Sequence, residues 1–246
     1  MLAGDRAVIE THRALGEGAK AEQLAHGAGG AVSYPPEPWY LRGQMHLTVW
    51  RMPLAGLPAL PPGLAPVRLG GCALVGTAWV VYEPGGVLSY RELLVAVPVW
   101  HGRLLRASIT DIWVDSAPSL RGGRELWGIP KELATFDFAG PRFAASTPDG
   151  APIARGTVAP RAGLPGRWPA RYAVVQNVGV QNIGAKDAGA QYPAGELAVT
   201  PVHSRAALRL TSADWEFAPD GPLGWLAGGQ PLLSASLRDF RLRFGR

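Results

Sequence analysis

At 246 residues, with 47% hydrophobic and 17% charged residues, the chain has the composition of a compact globule and not of a disordered tail. One cysteine, Cys72, excludes an intrachain disulfide and a cysteine-rich structural metal site, which makes a reducing, cytoplasmic setting the default expectation. The net charge of +5 comes from scattered arginines with no nucleic-acid reading motif, and no segment reaches the ~18 apolar residues of a membrane helix, so neither nucleic acid nor membrane is expected as a partner.

In chain order, residues 5–26 are good helix formers with apolar positions at loose helical spacing, followed by a glycine-rich joint near Gly30. Residues 1–34 therefore read as an N-terminal helical extension, and 35–246 as one further domain. Trp39 and Tyr40 precede a strand-like run from His46 to Met52, and the connector from Pro53 to Pro66 is too rich in proline for helix or central strand. Strands then fit Val67 to Tyr82, Gly86 to Trp100 and Arg103 to Val114, joined by short turns that make them antiparallel neighbours. A short helix fits Ser119 to Trp127, with Pro130 as its stop. Leu133 to Phe138, Arg142 to Ser146, Ile153 to Val158, Arg171 to Val180, Ala207 to Leu210 and Leu232 to Phe244 complete the strands. With 32 glycines and 23 prolines to supply turns, the economical reading is a mainly β, barrel-like domain with a few short helices.

Familiar chemical motifs fail. Gly123 to Gly128 has the spacing of a phosphate loop, but Ile129 and Pro130 stand where Lys and Ser or Thr are required. The five histidines share no metal-ligand spacing, so no metal is expected, and there is neither a serine-hydrolase elbow nor a dinucleotide fingerprint. No cofactor is called for.

What remains is Gly123-Arg124-Glu125-Leu126-Trp127-Gly128-Ile129-Pro130-Lys131, which resembles the Gly-Arg-Glu-x-x-x-x-Pro-Lys signature of the acetoacetate decarboxylase family. Trp113 to Ser116, Tyr90-Arg91-Glu92 and Leu232 to Ser236 also resemble family segments, in order, from about residue 40 to the end. The resemblance implies an antiparallel β-barrel of that family's type, an oligomer, and a lysine, Lys131, that forms an imine with a substrate ketone. It implies Glu92 as the active-site carboxylate and Arg42 as a pocket arginine for a substrate carboxylate. Trp113, Trp127 and Ile129 are the expected apolar walls, and Arg124 and Glu125 an ion pair that ties the loop before Pro130 and Lys131.

The residues themselves add weight to Lys131. Only Lys20, Lys131 and Lys186 are lysines in a chain that otherwise uses arginine, and only lysine can present a neutral amine to a carbonyl. An imine there makes the substrate an electron sink, so that breaking an adjacent bond leaves an enamine. An unperturbed lysine near pKa 10.4 is neutral in only about one molecule in 2,500 at pH 7, so the site must favour the neutral form.

Two departures bear on the reaction. The family's second lysine is replaced by Glu132, which at ~7 Å would favour a charged amine by roughly 2 kcal/mol, although on extended backbone the two side chains face opposite ways. The strand before Tyr-x-Glu reads Thr77-Ala78-Trp79-Val80-Val81 and lacks the family's other glutamate. The expected activity is a lyase acting on a keto acid or polyketide-like small molecule, with decarboxylation and aldol or dehydration chemistry both open. The alternative is a cyclase or binding protein of a biosynthetic pathway that forms no imine.

Overall fold

The computed structural model describes residues 32–178 and 196–246. The helix expected over 5–26 lies outside the described residues, as does the end of the strand expected to reach Val180. The described elements are β1 (Trp39–Met52), β2 (Leu64–Pro66), β3 (Arg68–Leu69), β4 (Cys72–Tyr82), β5 (Tyr90–His101) and β6 (Leu104–Val114), then the helix α1 (Ala117–Trp127). After it come β7 (Lys131–Leu133), β8 (Thr135–Ala139), β9 (Arg142–Ser146), β10 (Pro152–Gly163), β11 (Trp168–Asn177), β12 (Leu197–Phe217) and β13 (Gln230–Phe244).

Seven strands close on themselves in the order β11-β6-β5-β4-β1-β13-β12, with β12 pairing back to β11. The first half of β12 pairs with β11 and the second half with β10, so this 21-residue strand leaves the ring to carry β10, β9 and β8. Pairing is antiparallel except where β6 meets β7 and β11.

Strand alternation gives two cores, one on each side of the shared wall. On β4, Ala78, Val80 and Tyr82 point into the ring, whereas Val75 and Trp79 point out toward β8, β9 and β10. The outer core is aromatic: Trp79 stacks on Trp215 at 5.1 Å and on Phe143 at 5.9 Å. The inner core lines a cavity.

Most element boundaries shift in ways local chemistry explains. The strand expected from Val67 breaks at Gly70 and Gly71, both left-handed, and β1 begins at Trp39, seven residues before the expected start. The helix ends at Gly128 in left-handed conformation (φ 64°), ahead of Pro130. There the Gly128 and Ile129 amides donate to the carbonyls of Arg124 (3.1 Å) and Gly123 (3.0 Å), satisfying the last turn. No helix among the described residues is long and apolar enough to cross a membrane, and no group of three His, Cys, Asp or Glu among them could hold a metal ion.

A pH dependence is built into β1. His46 faces Phe143 at 4.9 Å and shares a 2.7 Å hydrogen bond with Ser236 through Nδ1. Burial, and secondarily the Arg238 charge, lower it to about 4. Between about pH 6.5 and 4 the unfolded chain therefore binds a proton that the native chain refuses. The stability this gives is complete above the unfolded value and is lost as pH falls toward 4. Urea titrations across this range are expected to show a shallower acid decline for His46→Gln than for the wild type.

Candidate active site

The parity that separates the two cores also orients Lys131. In the parallel pairing of β6 with β7, Ile112 lies beside Lys131 and Trp113 beside Glu132. Lys131 therefore enters the ring with Ile112, while Glu132 turns outward and accepts a 3.1 Å hydrogen bond from Trp113 Nε1. Trp113 belongs to the outer core and does not line the cavity, because it sits one residue out of phase with Ile112.

Lys131 is 4% exposed, and its three N–H donors meet three oxygens: Ser119 Oγ at 2.8 Å, Glu92 Oε2 at 3.0 Å and the Tyr90 hydroxyl at 3.3 Å. The amine also lies 5.1 Å from the centre of the Tyr90 ring. Glu92, 2% exposed, accepts a further 3.0 Å bond from the Tyr82 hydroxyl. Tyr82 and Tyr90 are cross-strand partners on β4 and β5 and stack at 4.3 Å. Burial first, then the Glu92 charge, pushes both phenols well above their ordinary range, so they stay neutral.

Helix α1 supplies the fourth side of the site. Ser116 caps it by accepting from the Ser119 amide at 3.3 Å, and Ser119, Gly122, Gly123 and Trp127 form its buried face. Gly123 is needed for the lysine to pass: a Cβ there would lie 2.7 Å from Lys131 Cδ and 2.8 Å from Cε. Beside it, a Cβ on Gly122 would lie 2.4 Å from the Trp39 ring. Gly123→Ala is expected to force Lys131 out of its hydrogen bonds despite alanine's better helix propensity, costing about 1–3 kcal/mol. Thermal unfolding and reductive capture of a ketone on Lys131 should both be impaired in this variant.

The cavity facing Lys131 and Glu92 has a volume of about 340 Å³. Its wall is apolar, formed by Trp39, Trp127, Ile129, Ile112, Phe240 and Leu237 among others. Among its described lining residues, Lys131 is the one cation.

Of the residues singled out in the sequence, Lys131, Glu92, Trp127 and Ile129 come together here. Arg42 does not: it follows inward-facing Leu41 on β1 and so projects from the outer face of the ring. Arg124 and Glu125 do not pair with each other. Arg124 Nε donates to the Lys131 carbonyl at 2.7 Å, whereas Glu125 bonds to Arg121 Nε at 2.9 Å and to the Tyr34 hydroxyl at 2.6 Å. Pro130 sits at the centre of a tight turn closed by a 2.8 Å bond from the Lys131 amide to the Ile129 carbonyl. Ser119, Tyr82 and Gly123 had no role assigned from sequence. The available signal was the run of small residues on one helical face, which only a large neighbour could fill.

The family model described as acetoacetate decarboxylase matches residues 25–218, most of the chain. The chain belongs to the acetoacetate decarboxylase family. Solved structures share its fold at low identity. The enduracididine biosynthesis enzyme MppR is 19% identical, with a TM-score of 0.62 over 89% of this chain and 95% of that one. The acetoacetate decarboxylase of Legionella pneumophila is 16% identical, with a TM-score of 0.62 over 89% of each chain. An acetoacetate decarboxylase-like enzyme from Sphingomonas wittichii RW1 is 19% identical, with a TM-score of 0.60 over 88% of this chain and 94% of that one. No curated protein matches the sequence significantly.

Proposed function

We propose that this acetoacetate decarboxylase-like chain is a lyase that forms an imine between Lys131 and a keto acid with an apolar body. The observation that carries the reading is a buried amine hydrogen-bonded to a buried carboxylate at 3.0 Å, facing an apolar cavity. In this reading Glu92 accepts a proton from Lys131, and the freed amine attacks the substrate carbonyl. Glu92 returns the proton as water leaves, giving an iminium. From a 3-keto acid, the carbon–carbon electron pair then moves into the iminium as carbon dioxide departs. The resulting enamine is protonated at carbon, and water releases the ketone and the amine. From a 2-keto acid, a base removes the neighbouring C–H proton instead, and the enamine attacks an aldehyde.

The solved relatives support keeping both branches: MppR has been solved complexed with pyruvate and with the condensation product of pyruvate and imidazole 4-carboxaldehyde. The apolar wall supports a substrate larger than pyruvate. At ~30 Å³ per water-sized group, 340 Å³ holds about eleven non-hydrogen atoms.

The branches separate in deuterium oxide. With 3-oxooctanoate, decarboxylation releases carbon dioxide and leaves deuterated 2-heptanone. With 2-oxooctanoate, exchange at carbon 3 without carbon dioxide release marks the aldol branch. Neither release nor exchange with either substrate, nor with acetoacetate or pyruvate, would refute the proposal.

A further inference from the structure

The outer face of the ring holds a concentration of positive charge that the chemistry at Lys131 does not use. Arg42 on β1 lies directly across from Arg241 on β13, and Arg241 directly across from Arg205 on β12. Two residues along, on the same face of each strand, Tyr40 lies across from Arg243, Arg243 from His203, and His203 from Arg171 on β11. Arg167, just before β11, is fixed over this face by donating to the backbone carbonyls of Arg205 and Asp239. These carbonyls orient its guanidinium without neutralising it.

The side chains line two adjoining clefts of about 680 and 470 Å³ that share Arg42, Arg205 and Arg241. Among the described residues, none of the six arginines makes an ion pair, the larger cleft has no carboxylate in its wall, and the smaller has only Asp239. Arg243 Nε is buried without a hydrogen-bond partner. Like charges opposite one another on a sheet, and a buried donor left unpaired, both cost stability, and an anion in the cleft would relieve both at once.

Size and shape narrow the ligand. With strands ~4.8 Å apart and alternate residues ~6.7 Å apart, the two rows cover about 14 by 7 Å. This is the footprint of a short polyphosphate group and not of an extended polymer. Guanidinium forks suit phosphate oxygens bidentately. Tyr40, 57% exposed at the end of one row, offers a ring surface next to the charges. We propose that this cleft binds a small ligand carrying two or more linked phosphate groups, at a site separate from the Lys131 cavity.

The test is calorimetric titration of the full chain with orthophosphate, pyrophosphate and tripolyphosphate at about 150 mM salt, for the wild type and Arg205→Gln/Arg241→Gln. Tripolyphosphate should bind at least tenfold more tightly than orthophosphate and raise the melting temperature. The double variant, relieved of facing charges, should fold at least as well, lose at least tenfold in tripolyphosphate affinity, and keep its reaction at Lys131. Equal affinity for all three anions, or unchanged affinity in the variant, would overturn the proposal. So would tighter binding of a single-stranded oligonucleotide than of tripolyphosphate, or a wild-type oligomer that the double variant dissociates.

Discussion

Lys131→Met is expected to lower turnover by ~10⁴-fold or more, because methionine fills the same channel past Gly123 but has no amine to form the imine. A structural consequence should accompany the loss. Glu92, 2% exposed, is deprived of its cationic partner, and breaking a buried pair by removing one member costs about 3–5 kcal/mol. The single variant should therefore melt at a lower temperature than the wild type. Lys131→Met/Glu92→Gln should recover much of that stability, because no unpaired charge remains, while staying inactive. Steady-state kinetics and thermal unfolding of both variants check this. Substantial turnover in Lys131→Met would show that the amine is not the nucleophile.

The second large effect is expected at Glu92. Glu92→Gln keeps an oxygen for the Tyr82 hydroxyl and nearly the same volume, but it cannot cycle a proton with Lys131. General acid–base assistance of this kind is worth about 10²–10⁴-fold. The loss should fall on kcat more than on KM, because the apolar wall that binds the substrate body is untouched. Reductive capture on Lys131 should slow in Glu92→Gln and still reach completion. A variant with wild-type kcat would remove Glu92 from the proton path and leave it only a structural partner of Lys131.

The parts of this site legible in the sequence were those set by local rules. The motif ending Pro130-Lys131 carried the lysine, and period-two alternation carried the opposed directions of Lys131 and Glu132 once both lay on one strand. The same alternation, applied between neighbours, turns Arg42 away from the cavity that Leu41 enters. A shift of one residue along a strand therefore moves a side chain to the other face of the wall. Trp113 left the candidate site for the same reason. Ser119 was not legible as a partner of Lys131 because the contact joins a helix to a strand beyond a turn, and no spacing rule links the two. Tyr82 was reachable only through its register with Tyr90. The extent of β12 was hidden because its two halves pair with different strands, so no single alternation spans it.

Glu132 is held on the outer face, away from the cavity that Lys131 enters, by Trp113 Nε1. β4 carries no carboxylate at Thr77–Val81. β4 contributes the Tyr82 hydroxyl to Glu92, so the acid on β5 is fixed by a neutral donor. Both features are compatible with imine chemistry run by one lysine and one carboxylate.

The most direct measurement of an imine on Lys131 is sodium borohydride reduction of the protein during turnover of 3-oxooctanoate, followed by intact mass and peptide mapping. A stable adduct equal to the substrate, or its decarboxylated ketone, less one oxygen atom, is expected on the peptide containing Lys131. Turnover that continues with no adduct on Lys131 under reducing conditions would contradict imine formation there.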